Sequence, residues 1–192
     1  QPDLVVMDRD ENPKAVYDWC REKGFPTFVC HVQHPRDVPS MLRELGHAVN
    51  RTQEAERWAS EIETLLKNTS PASGGIGLPL IWHEPLMAAN GNTYAGNMLT
   101  CTGFDVPKID PEGTGYPEVT AATIVEHGIT DLFLSSEPHE FTAEEGASLF
   151  KVLAALTPTP PRIHHIDGED LTWMGTRTLA GLKRLQAKWT QP

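Results

Sequence analysis

Cysteine is scarce in this sequence. Cys20, Cys30 and Cys101 stand alone, with no CxxC and no zinc-finger spacing. An odd number leaves one thiol unpaired within the chain, which speaks against a disulfide scaffold. Cys20 and Cys101 sit among apolar residues at helical spacing, the pattern of buried thiols. Long hydrophobic runs are also missing; none approaches the ~18 residues of a membrane span. Cations are outnumbered, with 16 Lys and Arg against 26 Asp and Glu and a formal net charge of −10. That balance argues against a nucleic-acid or anionic-membrane partner. The carboxylates are scattered rather than massed, as on a solvated surface.

Signatures of catalysis are absent as well. There is no GxSxG, no Walker A and no HExxH. Gly74-Gly75-Ile76-Gly77 precedes a strand pattern instead of following one, so it is not a dinucleotide fingerprint. Ser135-Ser136 with His139 nearby offers a nucleophile and a base, yet the same residues read as a strand end with a polar cap. His164 and His165 alternate faces of a strand and cannot both face one metal; one of them is expected to be buried and hydrogen-bonded. The eight histidines show no i,i+4 or HxH spacing. Glu144-Glu145 open a helix, where the dipole accounts for them. No catalytic residue and no metal-ligand set is assigned.

What the chain does have is periodicity. Val38, Met41, Leu42, Leu45, Ala48 and Val49 form one helical stripe, and Ala55, Trp58, Ala59, Ile62, Leu65 and Leu66 repeat its spacing. Thr52 is the expected N-cap of the second helix, which at ~1.5 Å per residue would run roughly 25 Å to Asn68. Two readings stand: an ordinary surface helix, or a spacer between two α/β lobes. Before this stretch, Leu4–Met7 and Thr27–Val32 read as buried strands around a helix that Asn12-Pro13 opens and Gly24 ends. Val38–Val49 is then the crossover helix of that β-α-β-α unit. Two strands cannot close a core alone, so this sheet is expected either to join the later strands or to be part of a larger one. Thr69–Gly75 is the best linker signal.

After it, Leu78–Trp82, Asp131–Ser135 and Arg162–Ile166 read as strands. Thr93, Thr120 and Thr142 are expected to cap helices, and a last helix is expected over Gly175–Trp189. The fold class is α/β: two Rossmann-like lobes joined by a long helix, the first incomplete, the second an open, mostly parallel sheet. In such folds ligands bind outside the carboxyl ends of strands. This selects Asp8–Asn12, His34, His83–Asn92, Ser136–Phe141 and Asp167–Trp173, whose aromatic and polar side chains suit a small-ligand cleft.

Four segments resemble the helical-backbone metal receptor superfamily, the class III substrate-binding proteins of ABC importers for vitamin B12, haem and ferric siderophores. They are Ile81-Trp82-His83-Glu84-Pro85-Leu86-Met87; Asn92-Thr93-Tyr94 with Met98-Leu99; Tyr116-Pro117 followed by Leu132–Pro138; and Asp167-Gly168-Glu169 with Trp173, Gly175 and Arg177. Together with the opening Pro2–Val6 they cover nearly the whole chain in the right order, and they are most similar to the cobalamin-binding, BtuF-like branch. Two departures stand out: His83 and Met174 occupy positions where the family pattern often has a basic residue and a tyrosine.

The resemblance implies two lobes with a ligand clamped between them and no chemistry performed. It divides the chain into a partial first lobe (1–51), a backbone helix (52–68) and a second lobe (69–192), with a further strand-rich segment expected before Pro2. It implies ligand contacts from Arg9, Trp82, His83, Met87, Tyr94, Glu137 and Trp173, with the two tryptophans stacking on a corrin or porphyrin plane. Glu11 and Glu169 are the implied permease-docking carboxylates. The implied ligand is cobalamin or another metal chelate, with haem, a ferric siderophore or iron as alternatives. The resemblance further implies that no cofactor is covalently held, that the chain acts as a monomer with the importer's permease as its macromolecular partner, and that the compartment is the periplasm. A metal-dependent α/β enzyme using His83, Glu84 or His139 is the competing class.

Overall fold

Short apolar runs in this chain become parallel strands, and the stripes between them become the helices that cover the strands. The computed structural model describes residues 1–68 and 74–189. Thr69–Ser73, most of the expected linker, lies outside the described residues.

In the first lobe, strand β1 (Val5–Asp8) pairs in parallel with β2 (Thr27–Cys30), with Val5 opposite Thr27. Helix α1 (Lys14–Glu22) connects them. Asn12 does not cap it. Its side chain turns back to accept from the Asp8 amide, and Pro13 holds the N-cap position without a side-chain bond. Gly24, at φ +71°, ends the helix in the left-handed region that favours glycine. This two-stranded sheet does not join the later strands, and Val6 and Val29 remain about half exposed.

Helices α2 (Val38–Ala48) and α3 (Thr52–Lys67) form an antiparallel hairpin. Arg43 of α2 clamps it, donating to Glu56 at 2.7 and 2.8 Å and to Glu63 at 2.6 Å. Thr52 is the first residue of α3 rather than its cap; Arg51 holds the cap position, after Asn50 at φ +57°. Helix α2, expected as the crossover helix of the first lobe, packs chiefly against α3. Val38 and Leu42 share a core with Ile62 of α3 and with Met98, Leu99, Leu171 and Leu182 from the C-terminal part of the chain. An apolar stripe says that a helix face is buried; it does not say against what.

The second lobe is built on β3 (Gly77–Trp82), β5 (Asp131–Ser135) and β6 (Arg162–Ile166), all parallel, with a short antiparallel edge strand β4 (Met87–Ala88). The order is β4-β3-β5-β6. Leu78, Leu80, Leu132, Phe133 and Leu134 are fully buried, as expected for strands covered on both faces. Helices α4 (Tyr94–Thr100), α5 (Ala121–Glu126), α6 (Ala143–Leu156), α7 (Gly168–Thr172) and α8 (Arg177–Trp189) surround the sheet. Thr93, Thr120 and Thr142 cap α4, α5 and α6, the last two through reciprocal capping boxes. Buried Asp131 binds Arg162 through two bonds of 2.8 Å and His164 through one of 2.7 Å. His164 is therefore the hydrogen-bonded member of the histidine pair, half-buried, while His165 is exposed. The architecture is two α/β lobes with a long helix between the first strands and the second sheet.

Candidate functional site

The carboxyl ends of the strands in both lobes converge on one cleft of about 800 Å³. From the first lobe come Asp8 at the end of β1, Asp10 and Glu11 in the turn after it, and Val32 after β2. From the second come Ile81 and Trp82 at the end of β3, Met87 of β4, Tyr94 and Ala95 of α4, and Tyr116. Glu137 and Pro138 follow β5, and Thr172, Trp173 and Met174 close α7. The size falls in the usual range for small-molecule clefts.

Two tryptophans dominate its wall. Trp82, at the end of β3, is 41% exposed, and Trp173, at the end of α7, is 49% exposed. Their indole N–H groups are committed to the protein. Trp82 donates to the Glu84 carbonyl at 3.1 Å, and Trp173 donates to Glu137 Oε2 at 2.9 Å. Each ring is thus oriented by a polar anchor while apolar area stays open to the cleft. Tyr94 is buried, with its hydroxyl 2.7 Å from Thr178 Oγ1, and burial pushes its phenol well above the usual value.

The first-lobe wall is acidic. Asp8 accepts from the amides of Asp10 and Glu11, at 2.9 and 3.3 Å, and this turn brings the latter two to the cleft. Glu11, expected on a docking surface, accordingly lies in the cleft wall. Tyr116 of the second lobe responds to this charge. Burial first, then Asp10, Glu11 and Asp8, raise its phenol to about 12. Beneath the turn, the Cys30 thiol donates to the Met7 carbonyl at 3.1 Å and lies 3.6 Å from Asp8 Oδ2; burial and the Asp8 charge raise its pKa, so it stays a thiol. All three cysteines are free.

Of the residues selected from sequence, Trp82, Met87, Tyr94, Glu137 and Trp173 line the cleft; Arg9 and His83 do not. Arg9 is exposed on the β1 loop, its amide bonded to the Cys30 carbonyl. His83 joins a cluster behind Trp82. Its ring lies 5.7 Å from His139, which meets Trp82 at 5.9 Å and bonds Glu145 Oε1 at 3.1 Å. A strand-end position selects a loop but does not fix which way each side chain turns. Glu169 is partly exposed and paired with Arg177. The lining residues not selected from sequence include Tyr116, Met174 and Val32. Tyr116 follows no strand. It reaches the cleft because the Ala88 and Val119 amides pair with the Pro117 and Leu86 carbonyls.

Catalytic pairing is not what these groups do. Ser135 Oγ donates to the Glu137 carbonyl at 2.6 Å, and Ser136 Oγ accepts from the Gly168 amide at 2.9 Å. His139 is engaged with Glu145 instead of either serine. Among the described residues, no group of three His, Cys, Asp or Glu side chains is placed to hold a metal ion.

No family model and no curated protein matches the chain. Solved structures do. A periplasmic heme-binding protein from Pseudomonas aeruginosa superposes with a TM-score of 0.76 at 19% identity, covering 98% of this chain and 72% of its own. The periplasmic vitamin B12 binding protein BtuF of Vibrio cholerae gives 0.66 at 13% identity, covering 97% and 73%. An ABC-type Fe3+-hydroxamate transport system from Saccharomonospora viridis gives 0.68 at 15% identity, covering 100% and 70%. With two α/β lobes, an intervening long helix and these superpositions, the fold of this chain is the one shared by these periplasmic binding proteins.

Proposed function

We propose that this protein is the substrate-binding component of an ABC importer and holds a corrinoid in the cleft between its lobes. The observation that carries the reading is the pair Trp82 and Trp173: two anchored, half-exposed indoles on the wall of an 800 Å³ cleft at the strand ends. An exposed aromatic pair suits a broad, largely apolar ring system. The serines and His139 are committed to other partners, which favours binding over hydrolysis. The descriptions of the solved structures of the same fold name vitamin B12 binding, heme binding and Fe3+-hydroxamate transport.

In this reading the protein works in the periplasm as a monomer. Residues before Thr52 supply the first lobe, residues 52–68 the linking helix, and residues from 69 onward the second lobe. The partner is the importer's permease, and Glu169, partly exposed at the start of α7, is its proposed docking carboxylate. The ligand is held without covalent attachment.

A visible-absorbance titration with cyanocobalamin, haemin and ferrioxamine B tests the reading. The expected result is a saturable change with cyanocobalamin at micromolar concentrations or below, about −8 kcal/mol or better. Saturation by haemin or ferrioxamine B alone would move the assignment to another metal chelate. Saturation by none would remove the importer function.

A further inference from the structure

We infer that the cleft selects metal chelates by charge, taking uncharged or cationic ones and rejecting those that carry carboxylates, with Asp10, Glu11 and Glu137 as the selecting residues. The inference rests on the proposed binding function and adds the class of ligand to it.

The carboxylates stand on both walls of one space. Asp10 and Glu11 come from the turn after β1 and Glu137 from the loop after β5, and all three line the same cleft as Trp82 and Trp173. No lysine, arginine or histidine is among the lining residues. The three charges are also incompletely compensated. Glu11 makes no ion pair among the described residues, and Asp10 has only His31, 3.4 Å away. Glu137 spends one oxygen on the Trp173 indole, a neutral donor. Asp8 differs, because its carboxylate closes the turn by accepting from the Asp10 and Glu11 amides; it is a structural group here.

The negative field crosses the cleft, since Asp10, Glu11 and Asp8 all act on the Tyr116 phenol of the opposite lobe. A ligand that displaces water from the cleft feels such charges with less screening than at an open surface. Carboxylates arriving there would face like charge and no cationic partner. A chelate fringed with neutral amides, or bearing an ammonium group, would not.

The test is a binding series on the intact chain with three probes: cyanocobalamin, uncharged overall; ferrioxamine B, a ferric trihydroxamate carrying a free ammonium; and haemin, with two propionates. The account predicts that haemin binds at least roughly 100-fold more weakly than the better of the other two. In the triple variant Asp10→Asn/Glu11→Gln/Glu137→Gln, the ratio of haemin affinity to that better ligand should rise at least roughly tenfold. Raised salt should narrow the same ratio in the unmodified chain. Should the triple variant fail to melt cooperatively, Asp10→Asn/Glu11→Gln carries the same prediction with a smaller change.

Haemin binding as tightly as the others, or a ratio that neither substitution nor salt moves, would overturn charge selection while leaving a chelate-binding function in place. Binding of none of the three would remove both.

Discussion

Trp173 shows how one residue is prepared for a ligand before any ligand arrives. Its N–H is fixed by Glu137, the Arg177 guanidinium lies 5.6 Å from the ring centroid, and half its surface is still open. Trp173→Ala should weaken chelate binding by at least roughly tenfold, the scale of one lost aromatic contact, with little change in thermal stability because the ring is exposed. Asp131 has the opposite role. Burial pushes its carboxyl up, but the bonds from Arg162, His164 and Thr130 outweigh this and hold it below the usual range. Asp131→Ala should cost about 2 kcal/mol in urea unfolding, less than a fully buried pair because Arg162 is largely exposed. Glu145 is held at about 2, mainly by the Thr142 amide. A depressed carboxyl stabilises the fold above its ordinary pKa and loses that contribution as pH falls toward about 2. Acid-unfolding curves of Glu145→Gln should therefore converge on those of the unmodified chain at the acid end and separate from them near neutrality. At this scale the cleft was partly legible. Trp82, Met87, Tyr94, Glu137 and Trp173 follow from the strand-end rule with the resemblance, because both concern position along the chain. Arg9 and His83 satisfy the same rule and line no cleft, because loop side chains are aimed by packing that no local pattern encodes.

Elements in this chain are set by short-range signals where those signals are strong. The caps at Thr93, Thr120 and Thr142 were legible because the bond spans only three residues. Asn12 and Thr52 have the right residue type, but the first is claimed by the β1 turn and the second falls inside the helix. Strand β4 and helix α7, of two and five residues, are too short to show a period. The α2–α3 hairpin depends on one close approach: a methyl at Gly46 would overlap the Ala55 side chain and press on the Arg51 carbonyl. Gly46→Ala should destabilise the chain by about 1–3 kcal/mol despite the better helix propensity of alanine, which denaturant unfolding measures directly. Arg43→Ala, which removes the exposed clamp between the same helices, should cost much less, and the loss should shrink at high salt.

For the whole molecule, the parallel second sheet and its helices were legible because alternating β and α patterns leave few topologies. The destination of α2 was not. It packs chiefly against α3, and Val38 and Leu42 fall in one continuous core with Val32 of the first lobe and Met98 and Leu182 of the second, a long-range grouping that no local pattern encodes. A joint built from a packed helical pair permits small adjustments rather than wide hinge closure. Small-angle scattering with and without a bound chelate should then show no resolvable change around the ~16 Å radius of gyration of a compact chain this long. The central claim, that a metal chelate is held in the cleft against Trp82 and Trp173, is tested most directly by an equilibrium titration of cyanocobalamin against three proteins. These are the unmodified chain, the Trp82→Ala/Trp173→Ala variant and the Trp19→Ala variant, whose exposed tryptophan belongs to α1 and not to the cleft. Saturable binding that is lost in the double variant and kept in Trp19→Ala is the predicted result; binding that survives in the double variant at unchanged affinity would contradict it.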